Sequence, residues 1–237
     1  MNSKIQLSIV VPCFNEAMNI PLLLEKFNDV IHTNHIQVVL VNNGSHDDSY
    51  EVLKKLSSKF DFLKVVNIRK NIGYGHGIKT GLEQADGEYI GYTHADMQTD
   101  PGDTIRAFEI INNDKNPKLL FIKGSRKKRP LVDNFFTIGM SIFESLYLRT
   151  RLWDINAQPN VFHKSFYHKV GNECPNDFSL DLYFLYRAKK LNFNVKRFSV
   201  FFPARIHGNS SWNTGFSARW KFIKRTFSFS VTLKKEL

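Results

Sequence analysis

Short apolar runs alternate with amphipathic stretches through the first half of the chain. The apolar runs predict strands, and the first two are too uniformly apolar to lie half exposed. The runs are LSIVVPCF (7–14), QVVLVNNG (37–44), KVVNI (64–68) and EYIGYTHAD (88–96). Stretches with apolar residues three and four positions apart predict helices, and these are IPLLLEKFNDVI, DDSYEVLKKLSSKF and GHGIKTGLEQA. This order predicts an α/β fold with a mainly parallel central sheet and helices on both faces.

The second half of the chain has a different pattern. A strand is predicted to run into a basic turn at LLFIKGSRKKRP, and another strand at VKRFSVFF. Helices are predicted at FFTIGMSIFESLYL and FSLDLYFLYRAKKL, and the last residues, SARWKFIKRTFSFSVTLKKEL, interleave aromatic and basic side chains. Since no linker rich in Pro, Gly or Ser interrupts the chain, we assign residues 1–214 to one domain and 215–237 to a basic aromatic tail.

Composition narrows the class of protein. The 237 residues are 42% hydrophobic, which is typical of a soluble globular protein. Two cysteines, Cys13 and Cys174, are too few for a disulfide framework and lack the spacing of a metal site, which favours a reducing compartment. The amino terminus lacks a signal-peptide pattern, and every apolar run is shorter than the ~18 residues of a spanning helix. We therefore expect a cytoplasmic protein.

The formal net charge of +11 indicates an anionic partner. Nucleic acid, a phosphate-bearing substrate and an acidic lipid surface all fit such a charge. The sequence has no helix-turn-helix, zinc or RNP pattern, and its polar residues cluster after strands rather than along one basic stripe. Nucleic acid is therefore the least favoured of the three partners.

Polar side chains follow three of the predicted strands. The first strand ends in Pro12, Cys13, Phe14, Asn15 and Glu16; the second in Asn42, Asn43, Gly44 and Ser45, with Asp47 beyond; the fourth in His94, Ala95, Asp96, Met97 and Gln98. Ligands of open parallel sheets bind at the carboxyl ends of the strands. The sequence therefore predicts one site at this edge of the sheet.

Glycine recurs in the segment NIGYGHGIKTG, residues 71–81. A dinucleotide-binding loop would follow the first strand, whereas this segment follows the third, so we reject a Rossmann dehydrogenase. Two interpretations remain open: a turn that permits tight helix packing, and a close approach of the backbone to a ligand.

Asp96 and Gln98 lie two residues apart beyond a strand, where both could turn toward one ion. Oxygen ligands of this kind suit Mg²⁺ or Mn²⁺, which bind through one or two carboxylates and the phosphates of a substrate. A capped turn is the alternative, because Asp100 followed by Pro101 is typical of the start of a helix. That alternative explains Asp100 but not Asp96.

These motifs together resemble a known family. SIVVPCFNEAMNI, VNNGSHDDS, NIGYGHGIKTGL, HADMQTDP, GSRKKR and DINAQPNVF are similar, in this order, to the motifs of inverting family 2 glycosyltransferases of GT-A fold. The branch around dolichyl-phosphate mannose synthase is the most similar, and the resemblance covers residues 5–210. It implies transfer of a sugar from a nucleotide diphosphate sugar of UDP, GDP or dTDP type, with inversion at the anomeric carbon and a divalent cation, Mg²⁺ or Mn²⁺.

The resemblance also implies roles for individual residues. Asp96 matches the metal-binding acid and Gln98 its companion, while Asn43, in the place of an aspartate, matches the residue that meets the base. The implied donor-binding residues are Pro12, Asn15, Glu16, Asn43, Ser45, Gly75, His94, Ala95, Arg205, His207 and Ser210. The implied catalytic residues are Asp96, Asp181 and Arg126, and the acceptor-binding residues are Gln158 and Arg129.

His94 stands where the family's Asp-x-Asp metal motif has its first aspartate. The motif therefore lacks one negative charge, and we expect weak metal binding in the absence of nucleotide. His94 either hydrogen-bonds the ribose or a phosphate, or packs beneath the turn.

The chemistry of the acceptor stays open between two groups. A sugar hydroxyl needs a general base, for which Asp181 is the first candidate and Asp154 and Asp177 are weaker ones, although Asp181 also fits an ordinary helix-face carboxylate. An ionised polyprenyl phosphate needs cations instead, and the basic turn supplies Arg126, Lys127, Lys128 and Arg129. Arg126, Arg205 and Lys123 are expected to stabilise the leaving diphosphate.

The tail also has two interpretations. Its aromatic residues Trp220, Phe222, Phe227 and Phe229 lie among basic residues, which suits peripheral binding to an anionic membrane surface at its inner face. A helix packed on the sheet with a solvated basic side fits as well. A non-catalytic nucleotide-sugar-binding protein of the same fold is the alternative function, and His94 is its support.

Overall fold

The computed structural model describes residues 4–127, 131–203, 205, 207 and 216–235. Their strands form one seven-stranded sheet in the order β3-β2-β1-β4-β6-β5-β7. Six pairings join neighbours: β6 is antiparallel to both β4 and β5, and the other four pairings are parallel. The strands are β1 (Leu7–Cys13), β2 (Ile36–Asn43), β3 (Leu63–Ile68), β4 (Tyr89–Tyr92), β5 (Leu120–Lys127), β6 (Asn160–His163) and β7 (Asn194–Phe201). The predicted α/β class with a mainly parallel sheet is confirmed.

Helices cover both faces of the sheet. They are α1 (Asn19–Val30), α2 (Ser49–Leu56), α3 (Tyr74–Glu83), α4 (Gly102–Asn112), α5 (Leu131–Tyr147), α6 (Lys164–Val170), α7 (Leu180–Lys190) and α8 (Phe216–Lys235). Alternate residues of β1 serve two cores, since Ile9 packs with α1, α2 and α4 while Val10 packs with α3, α6 and α7. This burial on both faces explains why β1 and β2 are almost continuously apolar.

Two parts of the sheet differ from the sequence prediction. β4 ends at Tyr92 because the chain then turns: Thr93 Oγ1 lies 2.9 Å from Thr99 Oγ1, and Met97 has a left-handed φ of 60°. β6 was not predicted, because four residues are too few to display a period. The turn after β4 therefore begins earlier than expected and brings His94 and Asp96 out of the ladder.

The glycine-rich segment packs closely against protein backbone. Gly73 has a φ of 138°, and a Cβ at Gly75 would lie 2.3 Å from the Pro175 carbonyl oxygen. His76 N also donates to Asn176 O at 3.0 Å. The tight-packing interpretation explains the glycines, and the contact of Gly75 with a donor stays a prediction.

The last helix docks on α5. Ser230 Oγ donates to Glu144 Oε2 at 2.6 Å, and both side chains are buried. Phe227 contacts Phe143, with ring centroids 5.6 Å apart, and Leu233 joins the core. Residues 215, 236 and 237 of the predicted tail and the side chain of Phe222 lie outside the described part of the chain. The buried side of α8 fits the interpretation of the tail as a packed helix. The interpretation that the tail binds a membrane surface applies to the exposed side of α8 and stays a prediction.

Candidate active site

The loops after β1 and β2 are tied to each other. Asn15, with a left-handed φ of 57°, donates its backbone N–H to Ser45 Oγ at 3.0 Å, and its Oδ1 accepts from His46 N at 2.9 Å. Glu16 N donates to Ser49 Oγ at 2.9 Å. These hydrogen bonds join the first two polar clusters to each other. Pro12, another predicted donor-binding residue, is the last residue but one of β1.

Glu16 connects these two loops to the segment around residue 205. Burial raises the pKa of Glu16, while a hydrogen bond from Asn19 and the positive charge of Arg205 act in the opposite direction. Asn19 Nδ2 lies 2.5 Å from Glu16 Oε2 and 3.4 Å from the carbonyl oxygen of His207. The predicted donor-binding residues Glu16, Arg205 and His207 thus lie in one region.

Asn43 presents a buried acceptor at the end of β2. Its Nδ2 donates to Gly73 O at 3.0 Å, which fixes the orientation of the amide. Its Oδ1 is buried and has no hydrogen-bond partner among the described residues. An unpaired buried carbonyl oxygen is costly, and a ligand N–H would satisfy it.

Asp96 lies at the centre of the turn after β4. Its Oδ1 accepts from Gln98 N at 3.1 Å, and its Oδ2 forms an ion pair with Arg205 at 2.7 Å. The Gln98 amide bridges to the same segment, since Oε1 accepts from Arg205 Nε at 3.1 Å and Nε2 donates to Pro203 O at 3.0 Å. Three of the predicted donor and metal residues are therefore brought together. Ala95 is buried beside them.

The turn offers a divalent ion one carboxylate. No cluster of three His, Cys, Asp or Glu side chains that could hold a metal occurs in the described part of the chain. The Arg205 guanidinium already supplies a cation to Asp96, and Gln98 is held by Pro203 and Arg205. Mg²⁺ and Mn²⁺ fit such a site only with additional oxygen ligands from a substrate, which is the usual way that Mg²⁺ binds beside phosphates. The roles of Asp96 and Gln98 as metal ligands stay predictions.

His94 packs against an aromatic pair. Its ring stacks on Tyr74 with centroids 5.8 Å apart, and Tyr74 stacks on Phe178 at 4.6 Å. Burial lowers the pKa of His94, and Asp96 acts in the opposite direction, so the ring is neutral at pH 7. This arrangement fits the packed interpretation of His94, and its contact with a ribose or phosphate stays a prediction.

Asp181 lies in the first turn of α7 and is buried. Three groups converge on its Oδ1: Tyr92 Oη at 2.8 Å, Gln158 Nε2 at 2.9 Å and Asn160 Nδ2 at 3.3 Å. None of the described residues donates to Oδ2. The carboxylate is therefore held in one orientation with one oxygen available as an acceptor. It is not an ordinary exposed carboxylate on a helix face.

Arg126 is held by a carboxylate of its own. Asp154 Oδ1 accepts from Arg126 Nε at 2.9 Å, its Oδ2 accepts from Arg126 N at 2.9 Å, and the Arg126 side chain is 9% exposed. Burial acts to raise the pKa of Asp154, but the charge and hydrogen bonds of Arg126 outweigh it and hold that pKa below its usual range. Asp154 is thus a partner of Arg126, which weakens its candidacy as a base. The contact of Arg126 with phosphates stays a prediction.

The remaining predicted residues divide into two groups. Gln158 lies in the Asp181 cluster, where it also donates to Tyr74 Oη at 3.1 Å. Ser210 and Arg129 lie outside the described residues. Sequence reasoning missed Tyr92, Tyr74 and Asn160; the only signal was that Asn160 lies two positions after Gln158 in the DINAQPNVF motif.

The fold is that of GT-A glycosyltransferases. It matches a mannosyltransferase from Pyrobaculum calidifontis solved with GDP-Man and Mn²⁺, with a TM-score of 0.69 and 18% identity over 97% of this chain and 65% of that one. It also matches glucosyl-3-phosphoglycerate synthase from Mycobacterium tuberculosis, solved with Mn²⁺, UDP-Glc and phosphoglyceric acid, with a TM-score of 0.74 and 10% identity over 97% of this chain and 79% of that one.

Residues 8–173 match the model of glycosyl transferase family 2. The protein belongs to this family, which confirms the resemblance. A dolichyl-phosphate beta-glucosyltransferase from Dictyostelium discoideum is 22% identical over 83% of this chain and 66% of its own length. An undecaprenyl-phosphate 4-deoxy-4-formamido-L-arabinose transferase from Pseudomonas savastanoi pv. phaseolicola is 37% identical over 40% of this chain and 29% of its own length. Both matches span less than two thirds of the relative.

Proposed function

We propose that the protein transfers a sugar from a nucleotide diphosphate sugar to a lipid-linked acceptor, with inversion at the anomeric carbon. The observation that carries this proposal is the convergence of Glu16, Asp96 and Arg205 at the carboxyl edge of the sheet. The buried carboxylate of Asp181 acts on the same two rings as Asp96 does, those of Tyr74 and His94. The acceptor oxygen attacks the anomeric carbon from the side opposite the diphosphate, whose bond to that carbon breaks. Family membership and the fold of solved sugar-nucleotide complexes support this reaction.

Asn43 supports a base that carries a ring N–H. Uracil and thymine have this group at N3 and guanine has it at N1, whereas adenine and cytosine lack it. The unpaired Oδ1 of Asn43 would accept that N–H. UDP, dTDP and GDP sugars therefore fit this site better than ADP or CMP sugars.

Arg205 is the residue best arranged to hold the diphosphate. Its guanidinium reaches both Asp96 and Gln98, and it is 23% exposed at the side chain, so a phosphate can exchange with these partners. A divalent ion held by Asp96 and the diphosphate would add further charge stabilisation for the leaving group. Arg126, which forms an ion pair with Asp154, is the second arginine proposed to stabilise the leaving diphosphate.

Two acceptor groups have separate support. A sugar hydroxyl on a lipid-linked glycan is supported by Asp181, whose Oδ2 could take the proton. A polyprenyl phosphate is supported by the names of the relatives, which include a dolichol-phosphate mannosyltransferase from Pyrococcus furiosus, 25% identical over 51% of this chain and 35% of its own length. Both acceptors are lipid-linked, so both require access to a membrane surface.

One surface of the α5–α8 pair suits such access. Large apolar side chains lie exposed on both helices, with Leu146 at 75% and Trp220 at 59%. The others are Ile138, Ile142, Phe143, Ile223 and Phe227. Exposed lysines, Lys224 and Lys234, lie on α8 beside them. Apolar residues flanked by lysine are typical of helices that lie in the headgroup region of an anionic bilayer. Among the described residues, no helix is long and apolar enough to cross a membrane.

We expect Leu146→Glu to weaken binding to vesicles of mixed neutral and anionic lipid by about tenfold, because burial of a leucine contributes about 1.5–3 kcal/mol. Co-sedimentation at low and high salt measures this binding, and rising salt should release the wild type. Leu119→Glu is the matched control, since Leu119 is 52% exposed and lies outside α5 and α8. Equal vesicle binding by the Leu146 and Leu119 variants would mean that α5 is not part of the membrane-binding surface.

A thermal-shift screen tests the donor directly. With donor at about 100 times its dissociation constant, stability rises by about 2.7 kcal/mol, and each kcal/mol raises Tm by about 2–4 °C in a chain of this size. We expect such a shift from one of the UDP-, GDP- or dTDP-sugars, larger with Mn²⁺, and none from ADP- or CMP-sugars. A shift without turnover on any acceptor would favour the non-catalytic alternative, and no shift from any donor would contradict the proposed function.

A further inference from the structure

Lys123 of β5 is a fully buried lysine. Its Nζ donates to Ala157 O at 2.7 Å and to Asn160 Oδ1 at 2.7 Å. A buried ammonium group is costly unless an opposite charge compensates it. Both hydrogen-bond partners of Lys123 are neutral, so these hydrogen bonds do not neutralise the positive charge of its ammonium group.

Asn160 connects this lysine to the acceptor side of the site. Lys123 and Asn160 are register partners on the antiparallel strands β5 and β6, so the backbone fixes their proximity. Asn160 Nδ2 donates to Gln158 Oε1 at 2.8 Å and lies 3.3 Å from Asp181 Oδ1. A continuous chain of hydrogen bonds therefore runs from Lys123 through Asn160 to Asp181.

The surrounding charges identify the counter-ion. Burial lowers the pKa of Lys123 to about 7, and Asp181 is the largest influence in the opposite direction. Asp154 also raises this pKa, whereas Arg197 and Arg126 lower it. Asp154 already has Arg126 as its ion-pair partner, so Asp181 is the carboxylate whose charge Lys123 compensates.

The groups that face Asp181 from the other elements are neutral at pH 7. Tyr92 of β4 and Tyr74 of α3 both have their pKa raised by burial and by the charge of Asp181, and His94 has its pKa lowered by burial. Lys123 is thus the cation linked to Asp181 by hydrogen bonds in the described part of the site.

We propose that Lys123 is a positioning residue that acts as the internal counter-ion of Asp181 and, through Asn160, keeps that carboxylate ionised and oriented. The inference rests on the proposed function for its catalytic consequence, because an ionised Asp181 is what a hydroxyl acceptor requires. The resemblance implies only that Lys123 helps to stabilise the leaving diphosphate, and that role stays a prediction. The full burial of Lys123 and its hydrogen bond to Asn160 support the additional role at Asp181.

The direct test follows the Asp181 carboxyl by carbon-13 NMR in the full chain, with Asp181→Asn to assign its signal. Lys123→Gln removes the charge and retains an amide donor for Ala157. We expect the Asp181 titration midpoint to move to higher pH by one unit or more, which is a tenfold change in its protonation equilibrium. Ser8→Ala, a buried polar substitution at the amino end of β1, should leave the midpoint unchanged.

A second measurement needs no variant. In the wild type, the Asp181 signal should show a separate inflection near pH 7 as Lys123 loses its proton. An unmoved midpoint in folded Lys123→Gln, or a wild-type signal without that inflection, would overturn the counter-ion role. If both appear, the acid limb of the pH–rate profile with a hydroxyl acceptor should move to higher pH in Lys123→Gln by the same amount as the Asp181 midpoint. A shifted midpoint with an unmoved acid limb would support the counter-ion and remove Asp181 as the base of the proposed function.

Discussion

Replacement of Asp96 by alanine is expected to abolish sugar transfer and leave the fold intact. Asp96 is the carboxylate that forms an ion pair with Arg205, and this chain has His94 where the family motif has its first aspartate. No carboxylate two residues before Asp96 can therefore substitute for it. Loss of charge stabilisation at the leaving group costs on the order of 3–4 kcal/mol, which corresponds to a rate loss of 10² to 10³ or more.

The neighbouring Asp100 provides a matched control in the same turn. Asp100 Oδ1 accepts at 2.8 Å from the backbone N–H of Gly102, the first residue of α4. Asp100→Ala should cost about 1 kcal/mol of stability and little activity. Steady-state rates at saturating donor and metal distinguish the two variants, and wild-type turnover by Asp96→Ala would refute the assignment of the turn.

Asp181→Asn is expected to separate the two acceptor chemistries. A hydroxyl acceptor loses its general base, so transfer to a lipid-linked glycan should fall by about 10²- to 10⁴-fold. A polyprenyl phosphate arrives ionised and needs no base, so transfer to it should survive this change and be lost in Arg126→Ala. Transfer rates of both variants with both acceptors distinguish the two acceptor chemistries.

Asp177→Asn is the control for this comparison. Asp177 precedes α7 and its Oδ1 accepts from Ser179 N at 2.8 Å, while its side chain is 35% exposed. Its replacement should leave the rate within a few-fold of wild type. Equal losses in Asp177→Asn and Asp181→Asn would mean that the start of α7 is sensitive to any change of charge, and neither residue could then be named as the base.

Periodicity predicted the strands that build the site, because their burial on both faces makes β1 and β2 apolar without a break. It also predicted the position of Asp96, since polar residues after a buried strand lie at the carboxyl edge of the sheet. The short antiparallel β6 escaped prediction, and with it the contact between β5 and the Gln158–Asn160 segment.

The surroundings of Asp181 could not be predicted from local patterns. Its hydrogen-bond partners Tyr92, Gln158 and Asn160 lie 89, 23 and 21 residues away along the chain. In the sequence, Tyr92 has the pattern of an ordinary aromatic residue in a strand, and Lys123 that of a polar residue at the end of a strand. Only the three-dimensional pairing of β4, β5 and β6 joins them, which is why the sequence identified Asp181 and Gln158 but not Tyr92 and Asn160, the other two groups that orient Asp181.

Mass spectrometry of reaction products tests the central claim most directly. Wild-type protein and Asp96→Ala would each be incubated with Mn²⁺, the donor selected by thermal shift, and either a polyprenyl phosphate or a lipid-linked glycan in anionic vesicles. We expect one acceptor to become heavier by a single sugar residue, with release of the nucleoside diphosphate, in the wild type alone. Absence of a glycosylated lipid with either acceptor, from wild-type protein that binds the donor, would contradict the central claim.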